Sequence, residues 1–163
     1  TDRFAALSSL VNHSSDFAPE CLNNFFERYA NDDLALDKWF SLQATRQSDD
    51  KNPVIQDVIK LRQHPSFKLQ NPNRARSLIH AFCLSNLANF HHPDGSGYEF
   101  WANEVIALNA INPQVAARLA RGLDHWKKFS PKYQQLMENA LKRVSAEEKL
   151  SPDVREVISK ALA

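Results

Sequence analysis

Five prolines, each preceded by an asparagine or a serine, divide the chain into pieces of helical length. The pairs are Asn52-Pro53, Asn71-Pro72, Asn112-Pro113, Ser130-Pro131 and Ser151-Pro152, and successive prolines are 19, 41, 18 and 21 residues apart. Asparagine and serine accept early amides of a helix, and proline suits the first helical position because its missing N–H costs nothing there. An interval of about 20 residues fits one helix with its turn, and one of about 40 fits a helix pair. This rhythm is typical of HEAT and armadillo repeats.

Apolar residues recur at helical spacing within these pieces, and the β-branched residues never alternate as they would in a strand. No sequence motif clearly repeats at the period, so the repeats are degenerate. We predict an all-α fold, a HEAT/armadillo-like superhelical stack of antiparallel helix pairs with about eight to ten helices. The predicted helices are Asp2–Val11, Ala18–Ala30, Asp33–Arg46, Pro53–Gln63, Pro72–Leu84, Leu87–Phe90, Tyr98–Leu108, Pro113–Phe129, Pro131–Ser145 and Pro152–Leu162.

Two longer connections interrupt the helical pattern. His91–Gly97 contains Pro93-Asp94-Gly95, in which proline presets φ and glycine tolerates the left-handed region, so we expect a turn there. Residues 63–70 join two helices, and we expect Phe67 and Leu69 to anchor this crossover in the core.

The segment that begins at Asn71-Pro72 places Arg74 and Arg76 on opposite borders of one apolar stripe. An arginine at such a border is partly desolvated and still reaches a partner. The simplest interpretation is that each arginine caps a neighbouring helix or pairs with a carboxylate at the edge of the core.

The composition excludes several classes of function. With 163 residues, 20 Lys and Arg and 19 Asp and Glu, the chain has the size of one domain and a net charge of +1. This charge predicts neither a nucleic-acid nor a membrane partner. Cys21 and Cys83 fall in apolar helical patterns and are predicted to be reduced and buried, which favours a cytoplasmic protein. Because the sequence starts at Thr1 without an initiator methionine, we expect either a fragment of a longer protein or a processed product.

The sequence contains no recognisable catalytic apparatus. None of its six histidines belongs to an H-E-x-x-H zinc motif, and nucleophile elbows and dinucleotide fingerprints are also absent. His91-His92 precedes a proline and is predicted to be a solvated pair, and no metal site is predicted. The basic run between Arg118 and Lys132 is predicted to be a solvated helix face.

Several motifs nevertheless occur in an order that resembles the C-terminal domain of bacterial aminopeptidase N. They are His64-Pro-x-Phe67, Asn71-Pro-Asn-Arg74-x-Arg76-Ser-Leu-Ile, Asp94-Gly-Ser-Gly-Tyr98 and Asn112-Pro-Gln-Val-Ala-x-Arg118. Asp37-Lys-Trp-Phe-x-Leu-Gln-Ala44 and the final Lys160-Ala-Leu-Ala163 are similar to the same family. The resemblance covers nearly the whole chain, and it implies that residues 1–163 are a single helical domain of a longer aminopeptidase.

The resemblance also implies a function. Aminopeptidases of this family are gluzincin zinc enzymes that release N-terminal amino acids from peptides, and their zinc ligands and catalytic glutamate lie in an upstream catalytic domain. The C-terminal domain closes over that domain, forms the internal active-site chamber and controls peptide access. By this reading the fragment alone is no enzyme and holds no cofactor. Its partners are the catalytic domain of the same polypeptide and the peptide substrate.

Three residues match family positions at the chamber: Arg76, Gln114 and Arg118. Gln114 and Arg118 are also an i, i+4 pair on one side of their helix, and a positive lining suits the carboxylate of a peptide. Two alternatives stay open. Either arginine could pair within the domain, and the chain could be a free-standing helical-repeat module for protein interaction.

Overall fold

Helices make up the regular structure of this chain. The computed structural model describes residues 2–13, 16–48 and 51–163, and none of these lies in a β-strand. The prediction of an all-α fold is confirmed. The α-helices are α1 (Asp2–Asn12), α2 (Ala18–Tyr29), α3 (Asp33–Ala44), α4 (Val54–Arg62), α5 (Pro72–Ala75), α6 (Leu87–Phe90), α7 (Ser96–Asn109), α8 (Pro113–Ala120), α9 (Pro131–Ser145) and α10 (Pro152–Leu162).

The chain divides into two compact units, Thr1–Asn89 and Phe90–Ala163. The division falls near the middle of the sequence, inside α6. The prediction that residues 1–163 form a single domain stays a prediction.

Side-chain caps start several helices where the asparagine–proline and serine–proline pairs predicted them. Asn71 Oδ1 accepts hydrogen bonds from the amides of Asn73 and Arg74, at 3.1 and 3.3 Å. Asn112 and Ser151 each accept the amide three residues further on, both at 3.3 Å. Since these bonds satisfy N–H groups that the helix itself leaves open, they fix where α5, α8 and α10 begin.

The other two pairs start their helices differently. Pro53 itself occupies the N-cap position of α4, so this helix begins one residue later than predicted. Ser130 is the N-cap residue of α9, but its side chain makes no capping bond. α9 therefore shares with α5, α8 and α10 a proline at the first helical position, but it lacks their side-chain capping bond.

In the first unit, α3 is the helix around which the others pack. It lies against α1, α2, α4 and α5, and it buries Trp39 and Phe40. The indole N–H of Trp39 donates to the Leu22 carbonyl in α2 at 2.9 Å. Asn86 is buried and donates to two carbonyls at the end of α3, those of Ala44 and Arg46, at 3.0 and 2.9 Å. The Trp39 bond holds α3 against the backbone of α2, and the Asn86 bonds hold the segment before α6 against the backbone at the end of α3.

The segment after α5 is a π-helix, Arg76–Ser85, not the continuous α-helix that the sequence predicts over Pro72–Leu84. π-Helices bond i to i+5 and are rare beyond a single turn. Its buried residues are Leu78, Ile79, His80, Phe82 and Cys83, and the apolar ones form its inner face. Their spacing fits a wide turn as well as an α-helical one, so periodicity alone did not distinguish the two. Cys83 is buried as predicted, whereas Cys21 in α2 is only half-buried.

In the second unit, α7 packs against α8 and α9, and α10 packs against the same two helices. Two tryptophans fasten this arrangement. The indole N–H of Trp101 donates to the Leu119 carbonyl of α8, and that of Trp126 donates to the Ala161 carbonyl of α10, both at 2.8 Å. Asn109 fixes the loop before α10 by donating to the Lys149 carbonyl at 2.9 Å.

The predicted helix Pro113–Phe129 is wrong in its second half. α8 ends at Ala120, and two 3₁₀ turns follow, Arg121–Leu123 and Trp126–Lys128. The tighter turns let Trp126 reach its carbonyl partner on α10, 35 residues away in sequence. This distant contact explains why the local pattern did not reveal the break.

Both predicted connections are ordered. Gly95 has φ +77°, the left-handed conformation expected from Pro93-Asp94-Gly95, and α7 begins directly after it. In the crossover of residues 63–70, Phe67 is buried and Leu69 is half-buried. His91 is not solvated as predicted: it is half-buried, and its Nδ1 lies 2.7 Å from the hydroxyl of buried Tyr98.

Candidate functional site

A cleft of about 780 Å³ opens between α8 and α10 in the second unit. It is formed by the outer side of α8, the turn that follows it, and one side of α10. Its lining contains both charged and small apolar residues: Gln114, Ala117, Arg118, Arg121, Asp124, Asp153, Glu156, Val157, Lys160 and Ala161.

Gln114 and Arg118 face this cleft because of the amphipathic pattern of α8. Val115 and Leu119 are buried on the inner side of the helix, while Gln114 and Arg118 are exposed. Their i, i+4 spacing places them one turn apart on the same side. Within the part of the chain that the structure describes, neither side chain forms a hydrogen bond or an ion pair. Both are therefore available to a ligand.

The lining of the cleft is mixed in charge, not positive as the arginine alone suggested. The cations are Arg118, Arg121 and Lys160, and the acids are Asp124, Asp153 and Glu156. α10 supplies two of the acids from positions that no sequence motif linked to α8.

One ion pair lies within the cleft. Glu156 and Lys160 form an i, i+4 pair on α10 at 2.9 Å. The hydrogen bond from Lys160 and its charge lower the pKa of Glu156, and the charge of Arg121 adds to this effect. Glu156 is therefore ionised at neutral pH, and its carboxylate interacts with the charges of Lys160 on α10 and Arg121 after α8.

Arg74 and Arg76 have different surroundings in the first unit. Arg74 is buried, and its guanidinium contacts Asp37 at 2.5 Å and Asp33 at 3.2 Å. For this arginine the pairing interpretation is confirmed. Arg76 is exposed and donates only to Asn73 Oδ1, at 3.3 Å, without an acidic partner in the described residues.

The structure therefore brings together two of the three predicted site residues. Gln114 and Arg118 share the cleft between α8 and α10, whereas Arg76 belongs to the first unit. Their roles at a chamber stay predictions.

Comparison with known proteins shows the family to which the chain belongs. A family model described as "Domain of unknown function (DUF3458_C) ARM repeats" matches residues 1–163. The chain belongs to this family. The armadillo repeats in its description agree with the fold predicted from the proline rhythm.

Relatives of this DUF3458_C domain are bacterial aminopeptidases N. The chain is 45% identical to aminopeptidase N of Haemophilus influenzae over 99% of its residues. It is 43% identical to aminopeptidase N of Escherichia coli K12 over its full length. A crystal structure of Legionella pneumophila aminopeptidase A in complex with aspartic acid superimposes with a TM-score of 0.88 at 34% identity over 98% of the chain. The resemblance to the C-terminal domain of aminopeptidase N is thus confirmed.

The DUF3458_C domain spans only a small part of these proteins. It covers 18% of the length of each of the two aminopeptidases N and 18% of the Legionella chain. The names aminopeptidase N and aminopeptidase A describe those longer proteins.

The described side chains do not offer a site for zinc. Nowhere in residues 2–13, 16–48 and 51–163 do three His, Cys, Asp or Glu side chains come together to hold a metal ion. His92 and Asp94 approach each other at 3.0 Å, but this contact belongs to the turn before α7.

Sequence reasoning missed Arg121 and the α10 side of the cleft. Arg121 was assigned only to the basic run, although it follows Arg118 by three residues and so faces the same way on a helix. That spacing was a usable signal. Asp153 and Glu156 had no signal, because only the packing of α10 on α8 brings them to the cleft.

Proposed function

We propose that this chain is the non-catalytic C-terminal domain of a zinc-dependent aminopeptidase N. In this proposal it closes over the catalytic domain, forms part of an internal active-site chamber and controls the access of peptides. The longer enzyme releases N-terminal amino acids, and its zinc is held outside this chain. The names of the relatives and the high similarity over the whole chain support this proposal.

The observation that best supports it is the pair Gln114 and Arg118. Two exposed polar side chains from one turn of α8 enter a cleft of about 780 Å³ and have no partner in the described residues. Ligand pockets commonly measure roughly 300–1,000 Å³, so the cleft has room for a short peptide. The guanidinium fork of Arg118 matches a carboxylate, and the amide of Gln114 can both donate to and accept from a peptide backbone.

We assign Arg76 to the chamber as well. It is exposed, its single hydrogen bond is to a neutral amide, and it lies at the start of an uncommon π-helix. Such helices occur frequently at functional sites. Its charge is thus free for a peptide or for the catalytic domain.

The proposed cellular location is the cytoplasm, where such enzymes would degrade peptides. In the residues that the structure describes, no helix has the length and apolar character needed to cross a bilayer. We also expect residues 1–163 alone to show no turnover of an alanyl chromogenic substrate with added zinc, because the chain contains no H-E-x-x-H motif.

The test uses the full-length enzyme with Arg118→Ala and two substrates. Ala-Ala-Ala presents a carboxylate beyond the cleaved bond, whereas alanine p-nitroanilide does not. A well-placed charged hydrogen bond contributes about 1.5–3 kcal/mol, so kcat/KM for the tripeptide should fall about tenfold or more. The anilide should lose little activity. Arg155→Ala, which removes a charge from α10 outside the cleft lining, is the matched control.

A structural role for Arg118 gives a different result. In that case Arg118→Ala lowers the melting temperature and reduces activity on both substrates by the same factor. That outcome contradicts the substrate-contact role.

A further inference from the structure

Arg121 lies in the same cleft as Arg118 and continues the row of polar side chains along α8. It is exposed, and it begins the 3₁₀ turn that directly follows the helix. A helix rises about 1.5 Å per residue, so three residues separate the two arginines by about 4.5 Å along the axis. An extended peptide advances about 3.3–3.6 Å per residue. The step from Arg118 to Arg121 thus corresponds to about 1.3 residues of an extended peptide, nearer to one residue than to two.

The electrostatic surroundings of the two arginines differ. Arg118 has no acidic partner in the described residues. Arg121 instead has an electrostatic interaction with the carboxylate of Glu156 on α10. Glu156 is also paired with Lys160 at 2.9 Å. Since 64% of the Glu156 side chain is exposed, its attraction for Arg121 is weak and screened by salt. In the described residues Glu156 pairs with Lys160 and forms no ion pair with Arg121, so the Arg121 guanidinium can bind a peptide carboxylate.

We propose that Arg121 determines specificity for peptide length, by binding the C-terminal carboxylate of peptides one residue longer than those whose carboxylate reaches Arg118. This inference rests on the proposed function, because it requires the cleft to face the substrate. Glu156 competes with the peptide carboxylate for Arg121 and so limits the activity on the longer peptides.

The test measures kcat/KM of the full-length enzyme on alanine peptides of two to five residues. Each length is supplied with a free C-terminal carboxylate and as the C-terminal amide, and the ratio of the two isolates the contribution of the carboxylate. Arg118→Ala should lower this ratio most at one length. Arg121→Ala should lower it most at the next length, about fivefold to tenfold, and Arg121→Lys should restore part of the loss.

Glu156→Gln gives a prediction of opposite sign. It removes the competitor and should raise the carboxylate-to-amide ratio about twofold at the length that depends on Arg121, an increase that added salt diminishes. A merely structural role for Arg121 cannot produce this gain. Arg155→Ala neighbours Glu156 but does not line the cleft, and it should leave the ratio unchanged at every length.

The outcomes separate the two proposals. Suppose that Arg118→Ala lowers the carboxylate-to-amide ratio, but Arg121→Ala changes this ratio at no peptide length or lowers kcat/KM equally for free carboxylates and amides. The length assignment is then overturned and the proposed function stands. If Arg118→Ala changes the ratio at no length, the substrate-contact role proposed for the cleft fails, and the length assignment of Arg121 fails with it. An unchanged or lowered ratio in Glu156→Gln also overturns the competition between Glu156 and the substrate.

Discussion

Replacing Arg74 should weaken the first unit far more than replacing its neighbour Arg76. The Arg74 side chain is 4% exposed and donates to Asp37 at 2.5 Å, to Asp33 at 3.2 Å and to the Ser66 carbonyl at 2.5 Å. Breaking a buried ion pair by removing one partner costs about 3–5 kcal/mol, since the other charge stays desolvated. Asp37 keeps 18% of its side chain exposed and recovers some hydration. We therefore expect Arg74→Ala to cost about 3 kcal/mol, the low end of that range.

The assay is urea unfolding of residues 1–163 followed by circular dichroism, which also tests whether the chain folds alone. Arg76→Ala is the matched control. It should change the unfolding free energy by less than about 0.5 kcal/mol, because exposed side chains without special contacts contribute little. Asp33→Asn should cost less than about 1 kcal/mol, since the Asp33 side chain is 87% exposed.

Equal effects of Arg74→Ala and Arg76→Ala would refute this reasoning. So would a loss below about 1 kcal/mol for Arg74→Ala, because that value is typical of a surface ion pair. Either result would mean that burial does not distinguish the two arginines.

Two further predictions concern the segment around the left-handed turn before α7. Gly97→Ala should destabilise the chain by about 2–3 kcal/mol in the same unfolding assay, because the added Cβ would lie 2.1 Å from the Phe90 carbonyl oxygen and the backbone must move. Burial lowers the pKa of His91, so the folded state resists the proton that the unfolded state takes up below about pH 6.5. Stability should therefore fall as the pH drops through that range, and His91→Phe should make the unfolding free energy at pH 5.5 and 7.5 more alike; an unchanged difference would contradict this cause.

Much of the fold could be predicted because its signals are local. Asn71, Asn112 and Ser151 cap the helices that follow them, and these short-range bonds mark the helix starts in the sequence. Where contacts between distant residues determine the end of a helix, the prediction of that helix fails. α8 ends at Ala120, yet Leu123 continues the apolar spacing and hides the break.

The candidate site shows the same limit. Gln114 and Arg118 are predictable as the exposed side of an amphipathic helix. The acids that oppose them come from α10, about 40 residues later in the sequence, and only tertiary packing joins them. Arg74 and Arg76 border the same stripe, and the sequence alone does not reveal that only Arg74 meets two carboxylates.

The most direct test of the central claim asks whether the cleft between α8 and α10 faces bound substrate in the full-length enzyme. Ala117→Cys places a thiol in the cleft and leaves Gln114 and Arg118 intact, and Arg155→Cys places one on α10 outside the lining. Maleimide labelling is measured with and without a tripeptide whose first amide is replaced by a non-hydrolysable CH₂–NH bond, with the unsubstituted enzyme as background. We expect the ligand to slow labelling at position 117 and to leave the labelling rate at position 155 unchanged. Equal rates at position 117 with and without the ligand, at saturation, would contradict it.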